Sequence, residues 1–361
     1  MKSLINDALS RENKEKKEFG RSESDQELQN ILEDLRTKVY IVGVGGAGCN
    51  TINRIYDEGI QGAELIAANT DAQHLLGVKA NRKVLIGKNL TRGLGAGAKP
   101  EMGEKAALES LESFKNIIED PDIVFITCGL GGGTGTGAIG PIAQLAKENG
   151  ALTIAILTTP FSAEGKSRAQ NAEWGLRRVT KYVDTVITIP NDKLVEIAPR
   201  LSLNKAFKVA DEVLMHSIKG MTEMITMPGL VNLDYNDLKT IMEGGGMAMI
   251  GIGESDAVAN TRAREAIERA INSPLLDVDI SGARGALINV TGGNDMTIKE
   301  AEMVAEEIEK RIDPKAKIIW GCNVDPSNEK SIKVMLVTTG VKSNQIFGRP
   351  PELDKEVESV N

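Results

Sequence analysis

A chain of 361 residues is long enough for two domains with separate cores. Its formal charge of -8, with no strong basic run, argues against a general nucleic-acid binder, whose phosphate contacts need a positive face. Two histidines and three cysteines, with no CxxC pair, argue against a zinc site and suit a reducing compartment, and no apolar run reaches the ~20 residues needed to span a bilayer.

Residues 1–37 are dense in charge of both signs and lack a long apolar stretch. They read as a charged helical extension outside the core, not as a secretory leader. KVYIVGVGGAGCNTINRIYDEG then predicts strand, glycine turn and helix. AELIAANTDA (63–72) predicts a second strand with a polar carboxyl end, and KVLIG (83–87) a short third one. TRGLGAGAKPEMGEKAALESL is a glycine loop running into a helix. DIVFITC, GLGGGTGTG and GAIGPIAQLAKENG make another strand–turn–helix unit, and ALTIAILTTPF and DTVITIPND are two further strands. This alternation predicts an α/β fold with a doubly wound parallel sheet. LNKAFKVADEVLMHSIKGMTEMITM (203–227) predicts one long helix, with Phe207, Leu214, Met221, Met224 and Met227 as its buried stripe. The first domain is therefore placed at 38–227. After Pro228-Gly229, the strand-like runs GMAMIGIG, GALINVTGG, AKIIWGC and SIKVMLVTTG alternate with two helical runs, which predicts a smaller α/β domain at 228–341. Residues 342–361 are polar, carry two prolines and read as a flexible tail.

Open α/β sheets bind ligands outside the carboxyl ends of their strands, and the glycine clusters fall at such ends. GVGGAG (43–48) fits GxGxxG. Alone, that pattern also fits a dinucleotide site, with Asp71 as the acid about 20 residues on, so an NAD-binding oxidoreductase stays open. A second loop, GGGTGTG, and a third, GAGAKP (95–100), favour instead a cradle for a terminal polyphosphate. Backbone N–H groups at helix starts bind phosphate, and Thr134 and Thr136 can add hydroxyl donors. There is no GxxxxGK[ST], so phosphate must be neutralised mainly by backbone amides and Mg²⁺. Cys49, near a helix start, is either a thiol of lowered pKa or, the weightier reading, a small buried side chain.

GGAGCN, NTD (69–71), GAGAKPE, GGGTGTG, TTPF (158–161), ND (191–192) and NLDYNDLKT (232–240) occur here in one order. That ordered set resembles the FtsZ family of cell-division GTPases, prokaryotic relatives of tubulin, and in its details the archaeal members. The resemblance covers roughly 38–340. It implies a GTPase domain joined by a long central helix to a smaller C-terminal α/β domain. It also implies hydrolysis of GTP to GDP and phosphate on self-assembly, in cytoplasmic filaments of a mid-cell division ring. It implies that Gly45, Gly46, Ala47, Gly48, Cys49 and Asn50 line the α- and β-phosphates. Gly132, Gly133, Thr134, Gly135, Thr136 and Gly137 would hold the β- and γ-phosphates, with Gly95, Ala96 and Gly97 approaching from the third loop. Asn69 and Asp71 would lie near the γ-phosphate and Mg²⁺, the metal itself being held by phosphates and water. Glu164 and Arg168 would meet the ribose, Asn191 and Asp211 the guanine edge, and Phe207 its face. Taken as residues alone, Glu164 and Arg168 also suit a helix-surface ion pair, and Phe207 and Asp211 suit core and solvent-face positions of the long helix. Lys99 stands where the bacterial pattern has Asn, and the tail lacks the bacterial peptide that docks membrane adaptors. A membrane-anchoring adaptor reached through the tail, and room for a paralogue in the ring, are the implied partners; nucleic acid and direct membrane insertion are not.

Phosphate loops bind but supply no water-activating group. Asn232, Asp234 and Asp237 follow the long helix, which spans about 35 Å at 1.5 Å per residue. That puts them at the opposite end of the domain from the glycine loops. One subunit cannot unite the two, whereas a head-to-tail stack can, and such heterologous contacts build filaments. The resemblance implies that Asp234 and Asp237 position the attacking water on a neighbour's nucleotide. The rival is a filament relative that keeps GTP as a fixed cofactor, in which both acids are dispensable and form only a solvated turn.

Overall fold

The computed structural model describes residues 36–197, 202–227, 229–231, 233–258, 261–276, 278 and 280–341. The charged extension up to residue 35, Asn232 and the tail from 342 lie outside them.

Strands β1 (Val39–Val44), β2 (Ala63–Asn69), β3 (Arg82–Leu85), β4 (Ile123–Gly129), β5 (Leu152–Thr159) and β6 (Thr185–Pro190) are mostly near-continuous apolar runs, buried on successive residues. Such runs suit interior parallel strands covered on both faces. They pair in parallel in the order β3-β2-β1-β4-β5-β6. The helices between them are α1 (Gly45–Glu58), α2 (Ala72–Gly77), α3 (Lys88–Thr91), α4 (Pro100–Glu109), α5 (Leu111–Lys115), α6 (Thr134–Glu148), α7 (Lys166–Val179) and α8 (Asn191–Ile197). The long predicted helix is α9 (Leu203–Thr226).

Beyond it come α10 (Tyr235–Met242), β7 (Gly246–Ser255), α11 (Arg262–Ile271), β8 (Gly285–Gly292), α12 (Ile298–Glu309), β9 (Lys317–Val324) and β10 (Ile332–Thr339). β10 is antiparallel to both β7 and β8, while β8 and β9 are parallel. The two halves share one sheet, because β7 pairs with β6 from Thr185↔Gly246 to Ile187↔Ala248.

α9 fills the seam beside that junction. Leu214, Met215, Ile218, Met221 and Met224 are buried in a core that also holds Ile187 and Ile189 of β6 and Leu287, Met335 and Val337 of the second half. Two expected members leave the stripe: Met227 is only partly buried, and Phe207 is 38% exposed. The direction of α9 matters more. Near its start, Phe207 packs edge-on against Phe161, just past the carboxyl end of β5, with ring centroids 5.1 Å apart. At its end, Thr226 Oγ1 donates to the carbonyl of Gln61, just before β2 begins (2.9 Å). The helix thus runs from the carboxyl edge of the sheet to the amino edge, about 36 Å for 24 residues.

The second half hides a charge cluster. Arg262 is 2% exposed; its Nε donates to Glu300 Oε1 (2.7 Å), its Nη2 to Glu300 Oε2 (3.1 Å) and its Nη1 to Asp295 Oδ2 (2.6 Å). Glu300 also closes a capping box with Thr297 at the start of α12. Removing one partner of a buried pair strands the other charge, at about 3–5 kcal/mol, whereas an apolar pair of similar volume is close to neutral. Arg262→Ala is therefore expected to lower the urea unfolding midpoint strongly, and the double variant Arg262→Met/Glu300→Leu to recover most of the loss.

Candidate functional site

The turn from β1 into α1 has no spare residue: the strand ends at Val44 and the helix begins at Gly45, with φ +73°. A Cβ at Gly45 would lie 2.7 Å from the amide nitrogen of Gly135, at the start of α6. A Cβ at Gly133 would strike the Gly97 carbonyl, and one at Gly137 the Pro100 carbonyl. The three glycine loops therefore touch backbone to backbone. Asn171 of α7 adds a clamp, its Nδ2 donating to Ala98 O (3.1 Å) and Gly131 O (3.2 Å). The third loop is further tied to the end of β2, with Gly95 N donating to Thr70 O and Ala72 N to Gly93 O.

The glycines divide by what they face. Gly45, Gly48, Gly133, Gly135 and Gly137 are buried and join loop to loop or to strand. Gly46, Gly95, Gly97 and Gly132 are accessible, and a Cβ on any of them would meet nothing within 4 Å. These four leave bare backbone on the open side. Neither α1 nor α6 has a side-chain N-cap, so their first-turn N–H groups keep capacity for an anion. The two helices leave neighbouring strands, so those donors sit side by side.

Several side chains do not behave as the sequence suggests. Thr136 is 1% exposed, and its Oγ1 accepts from Gly131 N (2.8 Å), so it braces its own loop and is no outward donor. Thr134 shares a hydrogen with Thr70, Oγ1 to Oγ1 at 2.6 Å. Cys49 is fully buried, its Sγ against Ala68 O and Gly43 O, and burial pushes its thiol up to about 12. The reactive-thiol reading is overturned, and only the Cys49 backbone can serve a ligand. Ala96 is 6% exposed and Ala47 is partly buried. Asn69 is 3% exposed, with Oδ1 accepting from Thr70 N (2.9 Å) and Nδ2 against His74 Nδ1 (3.2 Å). Asp71 caps α2 by accepting from His74 N (2.9 Å).

The carboxyl ends of β5 and β6 and the first turns of α9 carry the second group. Asn191 opens α8, is 4% exposed, and its Oδ1 has no hydrogen-bond partner among the described residues. Asp211 lies 3.7 Å from Arg54, and burial, only partly offset by that guanidinium, pushes its carboxyl up to about 6. Arg54 also donates to Glu212 (2.8 Å). Glu164 spends both oxygens locally, Oε1 on Phe161 N (2.9 Å) and Oε2 on Arg168 (2.7 Å). The helix ion pair is thus real, and it orders the turn after β5. Asp192 holds the same turn by accepting from Ser162 N (2.9 Å).

Asp234 and Asp237 lie past the far end of α9, whose last residue is Thr226. Asp237 N donates to Asp234 Oδ1 (2.8 Å), and Asp234 N to Asp237 Oδ2 (3.2 Å), a reciprocal capping box at the start of α10. Asn232 lies outside the described residues. Arg54, His74 and Asn171 escaped the sequence reading altogether, since their partners are 20 or more residues away or depend on a ring tautomer. The capping box had a visible signal, an acid three residues after an N-cap residue.

Residues 38–199 match the model of the tubulin/FtsZ family GTPase domain, and 246–342 that of the FtsZ family C-terminal domain. Cell division protein FtsZ 1 of Archaeoglobus fulgidus is 56% identical over 97% of this chain and 95% of its own length. Cell division protein FtsZ 1 of Pyrococcus furiosus is 58% identical over 90% of this chain and 87% of its own. A solved FtsZ dimer from M. jannaschii, described as empty, matches with a TM-score of 0.84 at 54% identity, over 88% of this chain and 92% of that one. These likenesses remove the NAD-oxidoreductase reading. From the loop cradle at one end of α9 to the capped acids at the other, the chain belongs to the FtsZ family of tubulin-like GTPases.

Proposed function

We propose that this chain binds GTP in the three-loop cradle, hydrolyses it to GDP and phosphate, and assembles head to tail into the filaments of a cell-division ring. The observation that carries this is the separation along α9. Accessible, uncapped helix starts gather at one edge of the sheet, and two carboxylates stand past the opposite end of a 24-residue helix. Neither end is a complete hydrolytic site. Stacking the acid end of one subunit on the cradle of the next would complete it, and would keep carboxylates away from phosphates until assembly.

In this reading the N–H groups of α1 and α6 and the bare faces of Gly46, Gly95, Gly97 and Gly132 hold the phosphates. The unpartnered Asn191 Oδ1 and the Asp211 carboxylate accept from guanine N–H groups, a pattern adenine does not offer. Phe207, exposed beside Phe161, offers a ring face to the base. Glu164 and Arg168 order the turn that borders the ribose. Asp234 and Asp237 of the neighbouring subunit, with Asn232, orient the attacking water; phosphoryl transfer asks for little beyond positioning and charge stabilisation. Mg²⁺, when bound, would be held by the phosphates and water near Asp71 and would supply charge neutralisation. The tail from 342 is the reading's docking peptide for a membrane-anchoring adaptor.

Phosphate release and sedimentation with GTP, GDP and ATP, over a series of protein concentrations, test the whole reading. Activity per subunit is expected to climb above a threshold concentration, with GTP alone. Constant specific activity down to nanomolar protein would mean a self-contained site.

The acid pair needs a variant that spares the helix. Asn caps as well as Asp, so Asp234→Asn keeps α10 and removes only the charge. It is expected to lower kcat by ~10²–10³ while GTP binding and filaments persist. Asp234→Ala should show the same kinetic defect plus about 1 kcal/mol of lost stability. Full activity in Asp234→Asn would favour the fixed-cofactor relative.

Asp211 gives a pH test. Its carboxyl, raised to about 6, must be ionised to accept from guanine. Nucleotide affinity should therefore be full above pH 6 and fall as pH drops through it, by up to tenfold per unit, because binding must expel a proton. Calorimetric GDP titrations from pH 5 to 7.5 should show this slope reduced in Asp211→Asn relative to the unaltered protein. An unchanged slope would remove Asp211 from the base site.

A further inference from the structure

One imidazole joins the end of β2 to α1. His74 Nδ1 lies 3.2 Å from Asn69 Nδ2, and His74 Nε2 lies 3.1 Å from Asn50 Oδ1. The ring's protonation follows from the network. Thr70 N–H can only donate, so the Asn69 atom 2.9 Å from it is the carbonyl oxygen. Asn69 therefore turns its amide nitrogen to the ring, and that group can only donate as well. His74 Nδ1 must accept, so in the neutral imidazole the proton sits on Nε2. Nε2–H then donates to Asn50 Oδ1. That fixes the Asn50 amide plane, and it leaves the two N–H bonds of Asn50, on an exposed side chain one turn into α1, as outward donors. The backbone that carries the ring is anchored, because Asp71 accepts from the His74 backbone N–H at 2.9 Å.

We propose that His74 is a positioning residue of the phosphate site: with Nδ1 turned to the Asn69 amide, its Nε2–H orients the Asn50 amide to donate to the nucleotide's phosphates. The proposal rests on the reading that Asn50 borders those phosphates. His74 touches no nucleotide atom in this arrangement; it acts through Asn50. A histidine serving only as a packing staple between α2 and α1 would need neither this tautomer nor Asn50.

The chain has two histidines, His74 and His216, so a His216→Gln protein leaves one imidazole to observe. Long-range proton–nitrogen NMR at neutral pH should show Nε2 protonated and Nδ1 bare, with and without GDP. The opposite tautomer, or a mixture, would overturn the proposal. GDP affinity supplies the second arm. His74→Phe removes both bonds while keeping a ring, and is expected to weaken GDP about five- to tenfold. His74→Gln offers an amide oxygen towards Asn69 and an N–H towards Asn50, and should restore most of that loss. Asn50→Ala should weaken GDP to a similar degree, and adding His74→Phe to it should cost nothing further, since the two act as one unit. Additive losses, or a His74→Phe protein that binds GDP as tightly as the parent, would remove His74 as a positioning residue. An Asn50→Ala protein of unchanged affinity would instead overturn the reading of Asn50 beneath it, and the inference with it.

Discussion

Side chains do not fit where the turns after β1 and β4 meet the loop before α4. Gly45 lies against Gly135, and Gly133 and Gly137 lie against the backbone of residues 97–100. Any Cβ there would push the loops apart. The contact welds three segments, distant in sequence, into one platform at the carboxyl edge of the sheet. It also aims two uncapped helix starts in the same direction. Everything proposed for nucleotide binding depends on that platform being rigid before the ligand arrives. Asn171, Thr136 and the Thr70–Thr134 pair hold it from the protein side, leaving the accessible glycines for the ligand side.

The second constraint is length. α9 carries the apolar stripe that seals the seam between the two halves, and the same 24 residues set the distance from the proposed base-binding end to the acid pair. Core packing and the division of the proposed catalytic site thus share one element. Replacing its Met-rich stripe would disturb both, because β5, β8 and β9 all lean on it. The short β6–β7 pairing adds a hydrogen-bonded link across the junction, so the two halves form one continuous sheet.

Charges are handled differently at the two ends. Asp211 is partly buried beside Arg54, and burial outweighs that guanidinium, which makes this carboxyl at the edge of the proposed base site sensitive to pH near 6. Asp234 and Asp237 are instead satisfied by each other's backbone N–H groups and need no cation to stay in place. Their structural duty as a helix cap explains why an alanine there would confuse two effects. In the second half, the buried Arg262 cluster ties the start of α11 to the start of α12 and lies outside the proposed site.

Much of this was legible from local pattern. Strand runs, the α/β alternation, the span of α9 and the three glycine loops all follow from periodicity and from residues whose backbone or burial preferences are strong at short range. The ordered motifs carried the family. What local pattern could not decide was partnership. GGGTGTG shows that backbone freedom is needed, yet only packing separates Gly133 and Gly135, which join loops, from Gly132, which faces outward. Thr136 and Cys49 look like ligand groups on a helical start, but Thr136 turns back to its own loop and Cys49 to the strand behind it. Phe207 fits the apolar stripe by spacing and is nevertheless 38% exposed, its ring set edge-on against Phe161 at the carboxyl edge of the sheet. The links made by Arg54, His74 and Asn171 join residues from separate elements. The sequence by itself determined the elements, the loops and the family, since those rest on neighbours along the chain. The tertiary structure alone decided which atoms face the open side of the loop cradle, since that is set by contacts between segments the chain brings together only when folded.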